Sequence, residues 1–170
     1  SYAYHQVNMG AHVSASPNWF TKRNFSLQTR FNVACGGNLG YELDPTKFTK
    51  KEKEIVKKQI EFYKQNRELF QYGEMIYFKD VYKNDIGGFI VLNKKHQEGF
   101  IVLTSPSLIN NISIKIPLLS NKKKYHLSGV DIKYDEIIYG NKIDLYNLFN
   151  NIEDKANYDL YSVMIKLNIA

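Results

Sequence analysis

The sequence predicts an α+β chain: a short helical N-terminal part, one long helix, and an antiparallel β domain behind it. Three observations carry this expectation. A capped amphipathic pattern runs from Thr49 to Tyr72. From Gly73 onward the chain breaks into short β-rich runs parted by turn residues. The stretch before the long helix offers one strand-like segment and one short helix, too little to bury a face alone.

The segment "MGAHVSASPN", Met9 to Asn18, reads as a strand stopped by Pro-Asn. Ser26 is placed to N-cap a helix over "LQTRFNVA", in which Leu27, Phe31 and Ala34 recur at helical spacing before Gly36-Gly37. "LGYELDP" is a short extended piece ending in an Asp-Pro turn. Thr49 and Glu52 form a capping box for the long helix, whose apolar residues include Ile55, Ile60, Phe62, Tyr63, Leu69 and Phe70. Gly73 ends it. "EMIYF", "GGFIVLN", "GFIVLT", "ISIKIPLL", "KYHLSGV", "EIIYG" and "YSVMIKLNI" are the expected strands, with turns at Asn84-Asp85, Lys94–Gln97 and Ser120-Asn121. Seven strands in under a hundred residues predict a sandwich or barrel, so the domain division falls at Gly73, into 1–73 and 74–170.

Composition narrows the function. The 170 residues are 44% hydrophobic and 24% charged, the profile of a globular protein. The net charge of +6 invites a nucleic-acid reading. Its lysines, however, sit in short bursts interleaved with acids, as in Lys51-Glu52-Lys53-Glu54, and no basic-aromatic stacking motif accompanies them. Solvated surface is the favoured explanation, and no nucleic-acid partner is expected. No apolar run reaches membrane-spanning length, so no membrane partner is expected either. Cys35 stands alone, which excludes an internal disulfide and suits a cytoplasmic protein.

One region carries a resemblance. "MGAHVSASPNWFTKRNFSLQTRFNVACGGNLGYELDPTKF", with the helix that ends in Gln-Tyr-Gly, resembles the end of the catalytic barrel in glycoside hydrolase family 36, the α-galactosidases. The likeness covers about the first 80 positions. It departs from the family at Trp19-Phe20, Gln28 and Cys35-Gly36. The resemblance implies a retaining hydrolase of terminal α-galactosides, working without metal or organic cofactor. It implies an N-terminal β domain, a (β/α)8 barrel and a C-terminal β-sandwich. The two catalytic aspartates would lie on earlier barrel strands, outside this chain, and "MGAHVS" would be strand eight. A lone fragment of this kind is expected to be inactive. The rival reading is a non-catalytic carbohydrate-binding or assembly β domain.

If the resemblance holds, the candidate substrate-side residues are Gly10, His12, Trp19 and Arg23; Arg23 matches a family arginine, while Trp19 stands at a departure and is put forward by its side chain alone. Gly10 allows close backbone approach. His12 would bond a sugar hydroxyl or orient a catalytic aspartate, with a packed histidine bonded to backbone as the ordinary alternative. Trp19, the sole tryptophan, offers a broad apolar face for a sugar or a cover for exposed core. Arg23 sits in the loop, within reach of a hydroxyl. Arg30 is expected to make an ion pair within the barrel, and Cys35 to be a core residue. Glu42 and Asp44 would share a strand face, but parallel side chains do not flank a sugar from two sides, and Asp44 before Pro45 reads as a turn residue. Residues 1–48 are expected to leave an apolar face uncovered unless they are disordered, packed on the β domain, or buried in a homo-oligomer.

Overall fold

A computed structural model describes residues 4–78, 86–153 and 156–170. Two helices and ten strands follow one another along it. β1 (Gly10–Ser14) leads through the helix α1 (Leu27–Ala34) to β2 (Asn38–Glu42), and α2 (Lys50–Tyr72) closes this part. The β strands after Gly73 are β3 (Glu74–Phe78), β4 (Gly87–Leu92), β5 (Glu98–Ser105), β6 (Asn111–Lys115), β7 (Lys124–Gly129), β8 (Asp135–Tyr139), β9 (Lys142–Tyr146) and β10 (Tyr161–Ile169).

Both helices begin where side chains capture the free amides of the first turn. The Ser26 hydroxyl accepts from the Thr29 amide at 2.9 Å. The capping box forms in full: the Thr49 amide donates to the Glu52 carboxylate at 2.8 Å, and the Glu52 amide donates to the Thr49 hydroxyl at 3.2 Å. Thr49→Ala removes one half of this exchange and is expected to cost about 1 kcal/mol. Thermal unfolding at fixed pH checks it; a cost near zero would mean that packing alone sets the start of α2.

Six strands form one antiparallel sheet in the order β3-β4-β5-β10-β7-β8. Its central strands read as unbroken apolar runs because both faces are buried. Ile90, Leu92, Ile101, Leu103, Val163, Ile165 and Leu167 face one cluster, to which the antiparallel pair β6–β9 contributes Ile112, Ile143 and Leu145. Phe89, Val91, Phe100, Val102 and Met164 alternate onto the other face. There they meet Val13, Phe31, Cys35, Tyr63 and Phe70 from the N-terminal part. Of the three fates expected for residues 1–48, packing against the sheet is the one seen among the described residues.

Two expectations need correction. "LGYELDP" is more than an extended piece: β2 pairs in parallel with β1, from Gly10 opposite Asn38 to Ser14 opposite Glu42. The segment therefore brings two neighbouring parallel strands joined by a helix, where one strand was expected. Nor is the uncovered face apolar. Ala11, Val13, Leu39 and Tyr41 turn toward the helices and the sheet, leaving Gly10, His12, Ser14, Gly40 and Glu42 on the other side. Strand β9 was not anticipated. The turn at Asn84-Asp85 lies outside the described residues, as does Tyr82, which with Tyr77 and Tyr125 strand spacing assigns to core and cross-strand pairs. Tyr125 is a core residue whose hydroxyl accepts from the Ser120 amide at 2.9 Å, and Tyr77 meets Phe89 edge-on.

Candidate active-site wall

The open face of β1 and β2 is built from alternation. Registry sets His12 opposite Gly40, and the imidazole lies across the strand it faces. A Cβ on Gly40 would sit 2.8 Å from His12 Cδ2, so a side chain there would force the ring away. At Gly10 a Cβ would make only ordinary contact with the ring, 3.6 Å from Cε1 and Nε2. His12 Nδ1 lies 3.4 Å from a carboxylate oxygen of Glu42, on a side chain half exposed. The expectation of a packed histidine bonded to backbone is corrected: the half-exposed ring lies over Gly40, and a carboxylate faces it from the end of β2.

Glu42 and Asp44 do not act as a pair. Strand β2 ends at Glu42, and Asp44 caps the following turn, accepting from the Thr46 amide at 3.0 Å and the Thr46 hydroxyl at 2.6 Å. Those two bonds hold the Asp44 carboxyl below its usual range.

Arg30 also departs from expectation. It makes no ion pair among the described residues; its guanidinium donates to the backbone carbonyls of Ser14 and Ser26. Burial lowers its pKa, partly countered by the field of Glu52. The arginine thus ties the C-terminal end of β1 to the start of α1. Trp19 and Arg23 stand in the loop 15–25, which leaves β1 at that same end, and both are exposed. Cys35 is fully buried, and loss of solvation pushes its thiol well above the ordinary value, as suits a core residue.

A polar connection missed in the sequence lies behind this wall. The Tyr41 hydroxyl donates to Gln59 at 2.8 Å, Gln59 to Gln28 at 3.1 Å, and Gln28 to Asn32 at 2.9 Å. Asn32 donates to Asp131 at 2.5 Å and to Ser162 at 2.9 Å. Asp131 also accepts from the Met164 amide at 2.8 Å. Burial raises the Asp131 carboxyl pKa, and the bonds from Asn32 and Met164 only partly offset it. No motif signals this chain of bonds, since Asn32 and Asp131 are 99 residues apart. Among the described residues, no group of three or more His, Cys, Asp or Glu is placed to hold a metal ion.

A model of the family described as melibiase matches residues 1–73, the segment that forms β1, α1, β2 and α2. The match extends past it in full-length relatives. The α-galactosidase AgaA of Geobacillus stearothermophilus is 33% identical over 135 residues, 77% of this chain and 18% of that protein. The α-galactosidase Mel36A of Lactobacillus acidophilus is 32% identical over 155 residues, 90% of this chain and 21% of that protein. The chain belongs to the melibiase family, glycoside hydrolase family 36. Structures in family 36 agree over nearly the whole chain. The α-galactosidase of Lactobacillus brevis superposes with a TM-score of 0.80 at 27% identity, covering 99% of this chain and 23% of that one. AgaA gives 0.78 at 28% identity, covering 98% and 23%. The chain spans about a fifth of the length of the curated family 36 relatives it matches.

Proposed function

We propose that this chain supplies the closing wall and the accessory β domain of a retaining α-galactosidase. The observation that carries the reading is the parallel β1–α1–β2 unit, whose open face is small and polar, in a chain of family 36. Parallel neighbouring strands joined by a helix are the repeating unit of a (β/α)8 barrel, and substrate is held at the C-terminal ends of such strands. On this reading β1, β2 and their helices, residues 1–73, are the end of the barrel. The six-stranded sheet and the β6–β9 pair are two leaves of a C-terminal sandwich, residues 74–170. Gly10, His12, Trp19 and Arg23 face the substrate side, with Glu42 holding the His12 ring in place. The single buried cysteine suits a cytoplasmic protein.

Retention of configuration needs two carboxyl groups about 5 Å apart on opposite sides of the sugar. Glu42 faces a histidine and Asp44 caps a turn, so neither serves; the reading assigns both catalytic aspartates to strands outside these residues. The expected result is no turnover of a chromogenic α-galactoside by the purified chain alone. Turnover that survives exhaustive purification would place the carboxylates in this chain, and Glu42→Gln and Asp44→Asn would then be the variants to assay.

A further inference from the structure

We propose that Trp19 and Phe20 form a stacking platform for the hexose units that follow the galactose in an α-galactosyl oligosaccharide. The proposal rests on the hydrolase reading above and extends it to a part of the substrate that the catalytic carboxylates do not touch. Trp19 is 79% exposed and Phe20 76%, with ring centroids 5.7 Å apart at 66°. A lone exposed aromatic needs no explanation; two adjacent rings on a braced loop do.

The bracing is extensive. The Asn18 side-chain carbonyl accepts from the amides of Phe20 at 3.1 Å and Thr21 at 2.9 Å. The Asn18 amide donates to the Arg23 carbonyl at 2.8 Å, and the Lys22 amide to the Asn18 carbonyl at 2.9 Å. Lys22, in the left-handed region at φ 61°, folds its amine back onto the Trp19 carbonyl at 2.7 Å. The base of the loop is tied down as well. The Phe25 amide donates to the Ser16 hydroxyl at 2.9 Å. The Asn24 amide donates to Asp159 at 2.6 Å, and the Asp159 amide returns a bond to Asn24 at 3.0 Å. The backbone beneath the rings is therefore ordered before any ligand arrives, which lowers the entropic cost of binding.

Position and chemistry select the occupant. The loop leaves the C-terminal end of β1, beside Glu42, the end at which barrel enzymes hold substrate. A pyranose presents an apolar C–H face to an indole while its rim hydroxyls seek donors, and Arg23 follows the rings in the loop. The terminal galactose must lie between the catalytic carboxylates, so a platform on the loop suits the sugars beyond it. Variants of one relative, AgaA, have been crystallised with stachyose and with raffinose, which carry such further hexoses.

Because Trp19 is the only tryptophan, its emission reports directly on the platform. Titrating the whole chain with stachyose is expected to give a saturable change, half complete at a concentration on the order of millimolar. Galactose should respond more weakly, and Phe20→Ala should raise the half-saturating concentration about threefold or more. The proposal is overturned by no saturable change, by an equal change with glycerol at the same mass, or by a stachyose response no stronger than that to galactose. A Phe20→Ala titration matching the parent overturns the pairing of the two rings. The readout is binding, so a flat titration removes the platform while turnover assays decide the hydrolase reading separately.

Discussion

Phe70→Ala is expected to destabilise the chain by about 3–5 kcal/mol, the range for deleting a fully buried phenylalanine. The ring is 0% exposed at the centre of an aromatic stack. It lies 5.0 Å from Phe100 and 5.7 Å from Tyr63, nearly parallel to both, with Phe62 at 6.3 Å. Phe100 belongs to β5 and the others to α2, so the stack fastens the helix to the six-stranded sheet. Aromatic neighbours leave rigid walls that do not collapse into the space, which puts the cost at the upper part of the range. Denaturant unfolding measures it. A loss under about 1 kcal/mol would mean that α2 is not held to the sheet by this stack.

Asn32→Leu is the second large effect, about 2–4 kcal/mol, and Asp131→Asn separates its cause. Leucine at position 32, which is itself fully buried, deprives Asp131, Ser162 and Gln28 of their shared partner. Asparagine at 131 keeps the acceptor for the Met164 amide but turns a donor toward Asn32. Asn32, Gln28 and Gln59 can each reverse their amides in answer, and the hydroxyls of Tyr41 and Ser162 can rotate at the two ends. The side-chain bonds survive with their directions inverted and the Met164 bond is kept, so Asp131→Asn is expected to cost under about 1 kcal/mol. It should also change the pH profile. Burial raises the folded-state pKa of Asp131 above its unfolded value, so the stability linked to its protonation is present below the ordinary carboxylate range. That stability is lost as the pH climbs through the raised native value. Asp131→Asn should flatten this decline in melts taken from acid toward neutral pH. An unchanged slope would assign the pH dependence to other groups.

How far the sequence reveals this molecule depends on whether a feature is local. The long helix was legible to its first residue because Thr49 and Glu52 announce it within four positions. The central strands were legible because double-sided burial demands unbroken apolar runs such as Gly87–Leu92. Strand β9 was missed although Ile143 and Leu145 alternate with Lys142 and Asp144; five residues of alternation beside another strand are a weak signal. The parallel pairing of β1 and β2 depends on α1 carrying the chain back, which no residue of either strand declares. On the candidate wall, Gly10 and His12 stood out by their resemblance to a family. The partners that hold the His12 ring, Gly40 and Glu42, emerge only from the cross-strand register. Arg30 was read as half of an ion pair because charge is visible in a sequence and a carbonyl acceptor is not.

On the proposed reading, these residues complete an α-galactosidase barrel without supplying its carboxylates. The most direct measurement replaces the matching segment of the Geobacillus α-galactosidase AgaA with residues 1–170 and follows hydrolysis of a chromogenic α-galactoside. The expected result is a folded graft that turns over the substrate, and no turnover when the aspartates of the host are removed. A graft that folds cooperatively yet is inert, or one that keeps its activity without those aspartates, would overturn the reading.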